Sequence, residues 1–199
     1  MRALRVVLIG GTSNVGKSTL ARALAGRLGW SCVSTDRLGR HPGRPWRTDG
    51  EPIPAHVASH YRSLTAEDLT AEQLRHYERM WPAIASLVEA HAFRDGADRL
   101  IVEGSGVWPD RVVQLNIPKV AAIWLTASPE TLRTRIHAAS RYAGQTDEQR
   151  GLIDNFIGRT DQYNQMMLAS VRRLGLASID VDSLPSPDAL VDQCLQLLD

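Results

Sequence analysis

The stretch Gly11-Thr12-Ser13-Asn14-Val15-Gly16-Lys17-Ser18 decides the fold of this 199-residue chain. It matches the pattern G-x-x-x-x-G-K-[ST] in full, in which a glycine-rich loop turns its backbone N–H groups toward an anion. An apolar run before it predicts a buried strand, and a leucine-striped segment over residues 17–28 predicts an amphipathic helix. The alternative is a glycine-rich turn that binds nothing, which would give Lys17 no packing role. We therefore expect a phosphate-binding loop at a helix N-terminus.

A nucleoside triphosphate and its metal ion need particular side chains in such a loop. Lys17 is expected to reach the β- and γ-phosphates and to act catalytically, while the Ser18 hydroxyl is expected to ligate Mg²⁺. The predicted cofactors are therefore ATP and Mg²⁺. The predicted nucleotide contacts are Gly11, Thr12, Ser13, Asn14, Val15, Gly16, Lys17, Ser18 and Thr19.

Composition limits the class of protein. The chain has 23 Lys and Arg against 22 Asp and Glu, a net charge of +1, so no global field attracts nucleic acid or an anionic membrane. No apolar run approaches the ~20 residues that a membrane-spanning helix needs. Cys32 and Cys194 lie in separate apolar runs and are expected to be reduced core thiols. We expect a cytoplasmic monomer or homodimer with no membrane or nucleic-acid partner.

Short apolar runs alternate with longer amphipathic segments along the whole chain. After the first strand, further strands are predicted over residues 31–34, 100–102, 120–125 and 177–181. This order predicts an α/β fold with a mostly parallel sheet covered by helices on both faces. We expect a single domain over residues 1–199, with an acceptor-binding insert over about 37–95 and a mobile lid over about 137–160.

Local signals divide the insert and the lid. Thr70 followed by Gln73 predicts a helix start through a capping box, and Pro82 predicts a kink or break in that helix. Residues 39–54 are rich in Pro and Gly and predict an irregular loop. The polar residues 140–150 predict a loop or lid. On the apolar stripe of the helix predicted to start at Thr70, Tyr77, Trp81 and His91 are expected to be core residues rather than part of the wall of a substrate site.

Two acids fall at the carboxyl ends of predicted strands, where ligands bind in such sheets. Glu103 is expected to hold a Mg²⁺-bound water and to contact the acceptor, and the alternative is a surface carboxylate that caps a loop. Asp36 is expected to bind the acceptor and to take the proton of its hydroxyl. The alternative for Asp36, which can hold at the same time, is the N-cap of a short helix.

A basic loop follows Asp36. Arg37, Arg40 and Arg44, with His41 and Arg47 in the same stretch, are expected to bind an anionic acceptor. A solvated loop is the alternative. Nucleic-acid binding is a third interpretation, which Trp46 alone would support by base stacking.

Arginines also border the predicted lid. Arg141 and Arg159 are expected to close over the γ-phosphate oxygens and to stabilise the charge that develops there during phosphoryl transfer. A surface helix charge is the alternative for each. Arg133 and Arg135 are expected to be solvated, or one of them to stack on the adenine.

Several of these pieces occur together in a known group: residues 8–13 through Leu20, residues 33–37, residues 101–104 with Pro109, residues 159–163 and residues 179–182. With them the sequence resembles the small P-loop kinases of the adenylate-, shikimate- and gluconate-kinase-like type, and most of all the kinase domain of 2-phosphoglycerate kinase. The resemblance implies a five-stranded parallel sheet, ATP with Mg²⁺ and an acid facing the acceptor, which is Asp36 here. It also implies lid arginines, here Arg141 and Arg159.

The chain departs from that kinase at residues 105–109, in the basic loop and over residues 52–69, where acceptor specificity is set. The sequence therefore predicts an ATP-dependent phosphotransferase acting on a hydroxyl of a small metabolite, which is anionic if the basic loop binds it. The alternatives are a nucleoside, nucleotide or polynucleotide 5′-end kinase, or a nucleotide-binding regulatory NTPase. No Asn-Lys-x-Asp motif is present to support a GTPase switch.

Overall fold

The computed structural model describes residues 4–39, 42–94 and 96–198. Within them, a five-stranded sheet has the order β2-β3-β1-β4-β5, and every pairing is parallel. The strands are β1 Val6–Gly11, β2 Ser31–Ser34, β3 Leu100–Glu103, β4 Val120–Thr126 and β5 Ser178–Asp180. The predicted five-stranded parallel sheet is confirmed.

Helices connect the strands and cover both faces of the sheet. They are α1 Lys17–Leu28, α2 Ala55–Ser63, α3 Ala66–Phe93, α4 Pro109–Leu115, α5 Pro129–Ser140, α6 Asp147–Arg173 and α7 Pro187–Leu198. None of the helices in the described ranges has the length and apolar character needed to cross a bilayer.

Strand β1 lies at the centre of the sheet, and its alternate side chains point into two cores. Val6 and Leu8 pack with buried residues of α3 and α6 on one face, while Val7 and Ile9 pack with α1 and α7 on the other. Every residue of β1 is buried, as expected for a strand covered on both sides. Cys194 lies in the second core, where burial raises the pKa of its thiol to about 12.

A third core lies away from the sheet. Trp46, Tyr61 and Phe156 are at its centre, and they join the loop after β2 to helices α2 and α6. The ring of Trp46 meets that of Phe156 edge to face, with 4.9 Å between the centroids. The segment between β2 and β3 therefore packs in an apolar core separate from the sheet, and helix α6 forms the other side of that core.

Three local predictions change in the structure. Helix α3 begins after Thr65, which forms a capping box with Asp68, so the predicted start at Thr70 is wrong. Thr70 instead lies inside the helix and donates its hydroxyl to the Ala66 carbonyl. Pro82 does not interrupt α3, which runs unbroken over 28 residues. The predicted loop or lid over residues 140–150 is shorter than expected, because α5 extends to Ser140, a 3-10 turn covers Tyr142–Gly144 and α6 begins at Asp147.

Candidate active site

The glycine-rich loop leaves β1 in a conformation that needs its glycines. Gly11 has φ of 141° and Gly16 has φ of 112°, which residues with a Cβ rarely adopt. A Cβ on Gly11 would also lie 2.8 Å from the Leu125 carbonyl oxygen and 2.9 Å from Val15 Cγ1. The loop therefore packs tightly on the sheet before α1 begins at Lys17.

Lys17 is buried at the floor of this loop, 8% exposed, and its Nζ donates to the Thr12 carbonyl oxygen over 2.7 Å. Burial lowers the pKa of Lys17, while the charges of Glu103 and Asp36 oppose that shift. Both carboxylates therefore lie within electrostatic reach of the ammonium group. An incoming phosphate would add negative charge here and offset the cost of burying the cation.

Glu103 ends β3 and is 4% exposed, and its Oε1 accepts a hydrogen bond from Ser18 Oγ over 3.0 Å. A hydroxyl beside a carboxylate is an oxygen donor set that suits Mg²⁺, which usually takes its other ligands from phosphates and water. No group of three or more His, Cys, Asp or Glu side chains that could hold a metal occurs in the described ranges. The Ser18 hydroxyl and the Glu103 carboxylate thus fit a metal ion that takes its remaining ligands from phosphates and water.

Asp36 lies at the carboxyl end of β2, beside Glu103 at the end of β3, because the two strands pair with Ser34 opposite Glu103. The two ends approach closely at Gly104, where a Cβ would meet Thr35 Oγ1 at 1.7 Å. The alternative role of Asp36 as an N-cap is not seen, since the Ser34 hydroxyl caps this turn and accepts from the Asp36 N–H. Asp36 itself is exposed.

A cavity of about 470 Å³ joins these groups, and we call it the phosphate-side cavity. Its walls come from the glycine-rich loop, the ends of β2 and β3, the loop after β2, and helices α3 and α6. The lining residues are Ser13, Asn14, Gly16, Lys17, Ser18, Thr19, Asp36, Gly43, Arg44, Tyr77, Glu103, Ser105 and Phe156.

The predicted basic loop contributes one described arginine to this cavity. Arg44 lines it, and its charge helps to lower the pKa of Lys17. Arg37 is exposed on the turn after β2 and is not part of the lining. Arg40 and His41 lie outside the described residues. Arg47 pairs with Asp49, which lowers the pKa of that carboxyl to about 2.

The two predicted lid arginines lie in different surroundings, and neither lines the phosphate-side cavity. Arg141 is exposed just after α5, with φ of 53°. Arg159 is 3% exposed in α6, where it donates to the Tyr61 hydroxyl over 3.0 Å and stacks on Phe156 with its Cζ 4.3 Å from the ring centroid. It lines a separate cavity of about 300 Å³ between α2, α3 and α6.

Sequence reasoning missed four residues of the phosphate-side cavity, of which Gly43 lies in the loop after β2. Tyr77 was expected to be a core residue, and it is buried but also lines the cavity, as do Ser105 and Phe156. Ser105 carries a detectable signal, since it follows Glu103-Gly104 at a strand end. The apolar spacing that identifies Tyr77 and Phe156 as helix-face residues contains nothing that marks them as ligand-facing.

A second cavity of about 500 Å³ lies on the other side of the glycine-rich loop. It shares Asn14, Gly16 and Thr19 with the phosphate-side cavity, and the turn before α7 forms its far wall. Arg135 of α5 lines it and donates from a guanidinium nitrogen to the Val15 carbonyl oxygen over 2.8 Å. Arg133 is not part of this lining.

The parallel sheet, its strand order and the glycine-rich loop before α1 define a P-loop NTPase of the α/β class. The profile of the family described as AAA domain matches residues 7–151, and the chain belongs to that family. No curated protein sequence gives a significant match.

Solved structures share the fold at low sequence identity. A sugar kinase from Janibacter sp. HTCC2649 is 20% identical with a TM-score of 0.58, covering 98% of this chain and 95% of that one. A gluconokinase from Sinorhizobium meliloti 1021 is 18% identical with a TM-score of 0.55, covering 96% and 89%. A shikimate kinase from Acinetobacter baumannii, in complex with shikimate, is 13% identical with a TM-score of 0.54, covering 98% and 93%.

Proposed function

We propose that this protein is an ATP-dependent kinase that transfers the γ-phosphoryl group to a hydroxyl of a small metabolite. The observation that carries the proposal is one cavity that contains Lys17, the Ser18–Glu103 pair and Asp36. A phosphate cradle, an oxygen donor pair for a metal and a carboxylate for the acceptor proton therefore face the same space. The kinase descriptions of the three proteins that share the fold support the same reaction class.

The nucleotide would lie across the glycine-rich loop. The cavity next to Arg135 has room for the adenosine, and its lining includes the apolar side chains of Leu20, Leu184 and Leu190. The triphosphate would follow the loop amides into the phosphate-side cavity. There Lys17 would exchange its bond to the Thr12 carbonyl for a phosphate oxygen.

Transfer would proceed by attack of the acceptor oxygen on the γ-phosphorus. Asp36 holds that hydroxyl and takes its proton, while the bond from the γ-phosphorus to the bridging oxygen breaks and ADP leaves. Lys17 stabilises the charge on the phosphate oxygens. Ser18 and Glu103 would hold Mg²⁺, which neutralises further charge when it is bound.

The acceptor enters through the side of the cavity formed by Arg44, Tyr77 and Phe156. A guanidinium and two aromatic rings suit a small molecule that carries an anionic group. The resemblance to 2-phosphoglycerate kinase supports an acceptor of the same kind. We propose the segment over about 37–95 as the acceptor-binding insert, since it supplies Arg44 and Tyr77 to this side.

The direct test measures ADP release from ATP·Mg²⁺ against a panel of sugars, hydroxy acids, phosphorylated hydroxy acids and nucleosides. We expect one chemical class to stimulate turnover above background. In Asp36→Asn, kcat should fall by about 10²–10⁴ because the general base is lost, while ATP affinity stays unchanged. The matched control is Asp192→Asn, an exposed acid of α7 that pairs with Arg27.

Two results would contradict the proposal. One is ATP turnover that no acceptor in the panel stimulates. The other is a Lys17→Ala variant with full activity, because that variant lacks the cation on which the phosphate site depends.

A further inference from the structure

Asn14 lies in the middle of the glycine-rich loop, in a left-handed backbone conformation with φ of 62°. The pattern G-x-x-x-x-G-K-[ST] accepts any residue at this position, so the motif itself gives the side chain no role. Glycine enters the left-handed region without strain, whereas most residues with a Cβ rarely adopt it and Asn is one of the few that tolerate it. A side chain is therefore present where the backbone conformation by itself would favour glycine.

The conformation of the loop does not depend on hydrogen bonds to the Asn14 side-chain oxygen. Oδ1 of Asn14 is buried and has no partner within the described ranges. The backbone on either side is held by other groups. Lys17 Nζ donates to the Thr12 carbonyl oxygen over 2.7 Å, before Asn14. Arg135 donates to the Val15 carbonyl oxygen over 2.8 Å, after it. The loop is thus fixed around Asn14, and its carboxamide remains available to a ligand.

The Asn14 side chain lies between the two cavities that flank the loop. It lines both the phosphate-side cavity and the cavity next to Arg135. Asn14 is half-buried, and its enclosed, unpartnered atom is the oxygen, while the amide nitrogen Nδ2 is not enclosed in this way. Phosphate oxygens accept hydrogen bonds and the Asn NH₂ group donates two. The exposed part of the carboxamide therefore suits a phosphate.

A triphosphate that runs from one cavity to the other must pass Asn14. With adenosine in the cavity next to Arg135 and the γ-phosphate in the phosphate-side cavity, the bridge between the β- and γ-phosphorus lies near the boundary that the two cavities share. Asn14, Gly16 and Thr19 form that boundary. Gly16 has no side chain and Thr19 lies in helix α1. Asn14 is thus the loop residue with a side-chain donor at this boundary.

Negative charge collects on the bridging oxygen during phosphoryl transfer. When the acceptor oxygen attacks, the bond from the γ-phosphorus to the bridging oxygen breaks and its electron pair stays on that oxygen. The oxygen then becomes a terminal oxygen of ADP. A donor that is already held in place beside it stabilises this charge without having to reorganise.

We propose that Asn14 is a catalytic residue whose side-chain amide donates a hydrogen bond to the oxygen that leaves with ADP. This rests on the proposed kinase function and adds a contact to the leaving group that the loop motif does not supply. The amide donates a hydrogen bond and keeps its proton, so the acceptor proton still goes to Asp36. The contact strengthens as the oxygen gains charge, and it therefore favours the transition state over bound ATP.

Calorimetry with two unreactive ligands tests this contact. ADP has a charged terminal oxygen in place of the bridging oxygen, whereas the β,γ-methylene analogue of ATP has a CH₂ group there and cannot accept. In Asn14→Gly, the affinity for ADP should fall about tenfold, and the affinity for the methylene analogue should change by no more than about twofold. Asn14→Asp replaces the donor by a carboxylate and should lower ADP affinity further, because the carboxylate repels the phosphate.

Asn116 provides a matched control. It is exposed, has φ of 46° at the end of α4, and lines neither cavity of the loop. Asn116→Gly makes the same chemical change at another left-handed position and should leave both affinities unchanged. Urea unfolding tests a structural role for the side chain. Asn14→Gly should have a urea midpoint no lower than that of Asn116→Gly, because glycine fits the backbone and the unpartnered oxygen is removed.

Two outcomes overturn the inference. One is an ADP affinity in Asn14→Gly equal to that of wild type. The other is an equal loss of affinity for ADP and for the methylene analogue. With that equal loss, a lowered urea midpoint assigns Asn14 to holding the loop, and an unchanged midpoint assigns it to a different phosphate oxygen.

Failure here is separable from failure of the kinase proposal, because ADP binding needs no acceptor. Acceptor-stimulated ADP release by a protein whose ADP affinity does not depend on Asn14 would refute only the role of Asn14. Selective loss of ADP affinity in Asn14→Gly, in a protein whose ATP turnover no acceptor stimulates, would refute only the kinase.

Discussion

Replacing Gly104 by alanine should separate the two strand ends that bring Asp36 and Glu103 together. The new Cβ would lie 1.7 Å from Thr35 Oγ1 and 2.8 Å from Thr35 Cβ. Thr35 is fully buried and has no room to withdraw. Gly104 also has φ of 154°, which disfavours any residue with a Cβ.

Two effects contribute to the free energy of unfolding that Gly104→Ala should lose. Overpacking in a buried site costs about 1–3 kcal/mol, and a backbone conformation that favours glycine adds about 1–3 kcal/mol. The sum of about 2–6 kcal/mol is a large part of the 5–15 kcal/mol typical of a domain. Because the strain falls between Asp36 and Glu103, Mg²⁺-dependent binding of an ATP analogue should weaken at the same time.

Urea unfolding followed by the fluorescence of the five tryptophans gives the free energy of unfolding. The control is Gly26→Ala in α1, where a Cβ meets nothing within 4 Å and should add about 0.5–1 kcal/mol of stability. Thr35→Ala removes the 1.7 Å contact, so the double variant should be more stable than the two single changes predict. A Gly104→Ala protein within 1 kcal/mol of wild type would refute the reasoning.

Three further changes test other parts of the molecule. In calorimetry, Arg135→Ala should bind the ATP analogue about three- to tenfold more weakly, because the hydrogen bond from Arg135 to the Val15 carbonyl is lost. Equal weakening in Arg133→Ala would argue against a specific contact. Thr146→Ala should lower the free energy of unfolding in urea by about 0.5–2 kcal/mol through loss of the α6 cap, and an unchanged value would contradict it. Burial lowers the pKa of His60 and His76 below the ordinary 6.5, so the unfolded chain binds more protons at acid pH. The contribution of these neutral histidines to stability is present above pH 6.5 and is lost as the pH falls below it. The urea midpoint should therefore drop less between pH 7.5 and 5.5 in a His60→Gln/His76→Gln protein than in wild type.

The sheet and the phosphate loop could be predicted because their signals are local. The spacing from Gly11 to Ser18 and the apolar runs before and after it depend on neighbouring residues alone. The start of α3 could not be fixed in this way, because Thr65 with Asp68 and Thr70 with Gln73 both form capping-box patterns. Tertiary contacts decide between them: Thr70 is buried against α6, where its hydroxyl meets the Gln162 side chain.

The residues of the candidate site also differ in whether local sequence signals fix their positions. The positions of Asp36 and Glu103 at the same edge of the sheet were predictable, because parallel strands end at one edge. The surroundings of Arg159 were not, since they depend on how α6 packs against α2 and α3. Its neighbours Tyr61 and Gln73 are far away in sequence, and no local pattern connects them to it.

The turn of helix α6 over residues 160–164 is hydrogen-bonded to the sheet, and this limits how much of the predicted lid over about 137–160 can move. Three hydrogen bonds connect this turn to the residues that follow β1, β3 and β4. They run from the Thr12 hydroxyl to the Thr160 carbonyl, from the Tyr163 hydroxyl to the Ser105 carbonyl, and from the Asn164 amide to the Ala127 carbonyl. All of these groups are buried, so breaking the bonds on each closure would be costly.

A lid that closes over the phosphates must therefore end before Thr160. The first turns of α6 could still move with α2, since the third core joins Phe156 to Trp46 and Tyr61. Phe156 lines the phosphate-side cavity and Arg159 lines the separate cavity between α2, α3 and α6, within one turn of the same helix. Movement of that turn would change both cavities together.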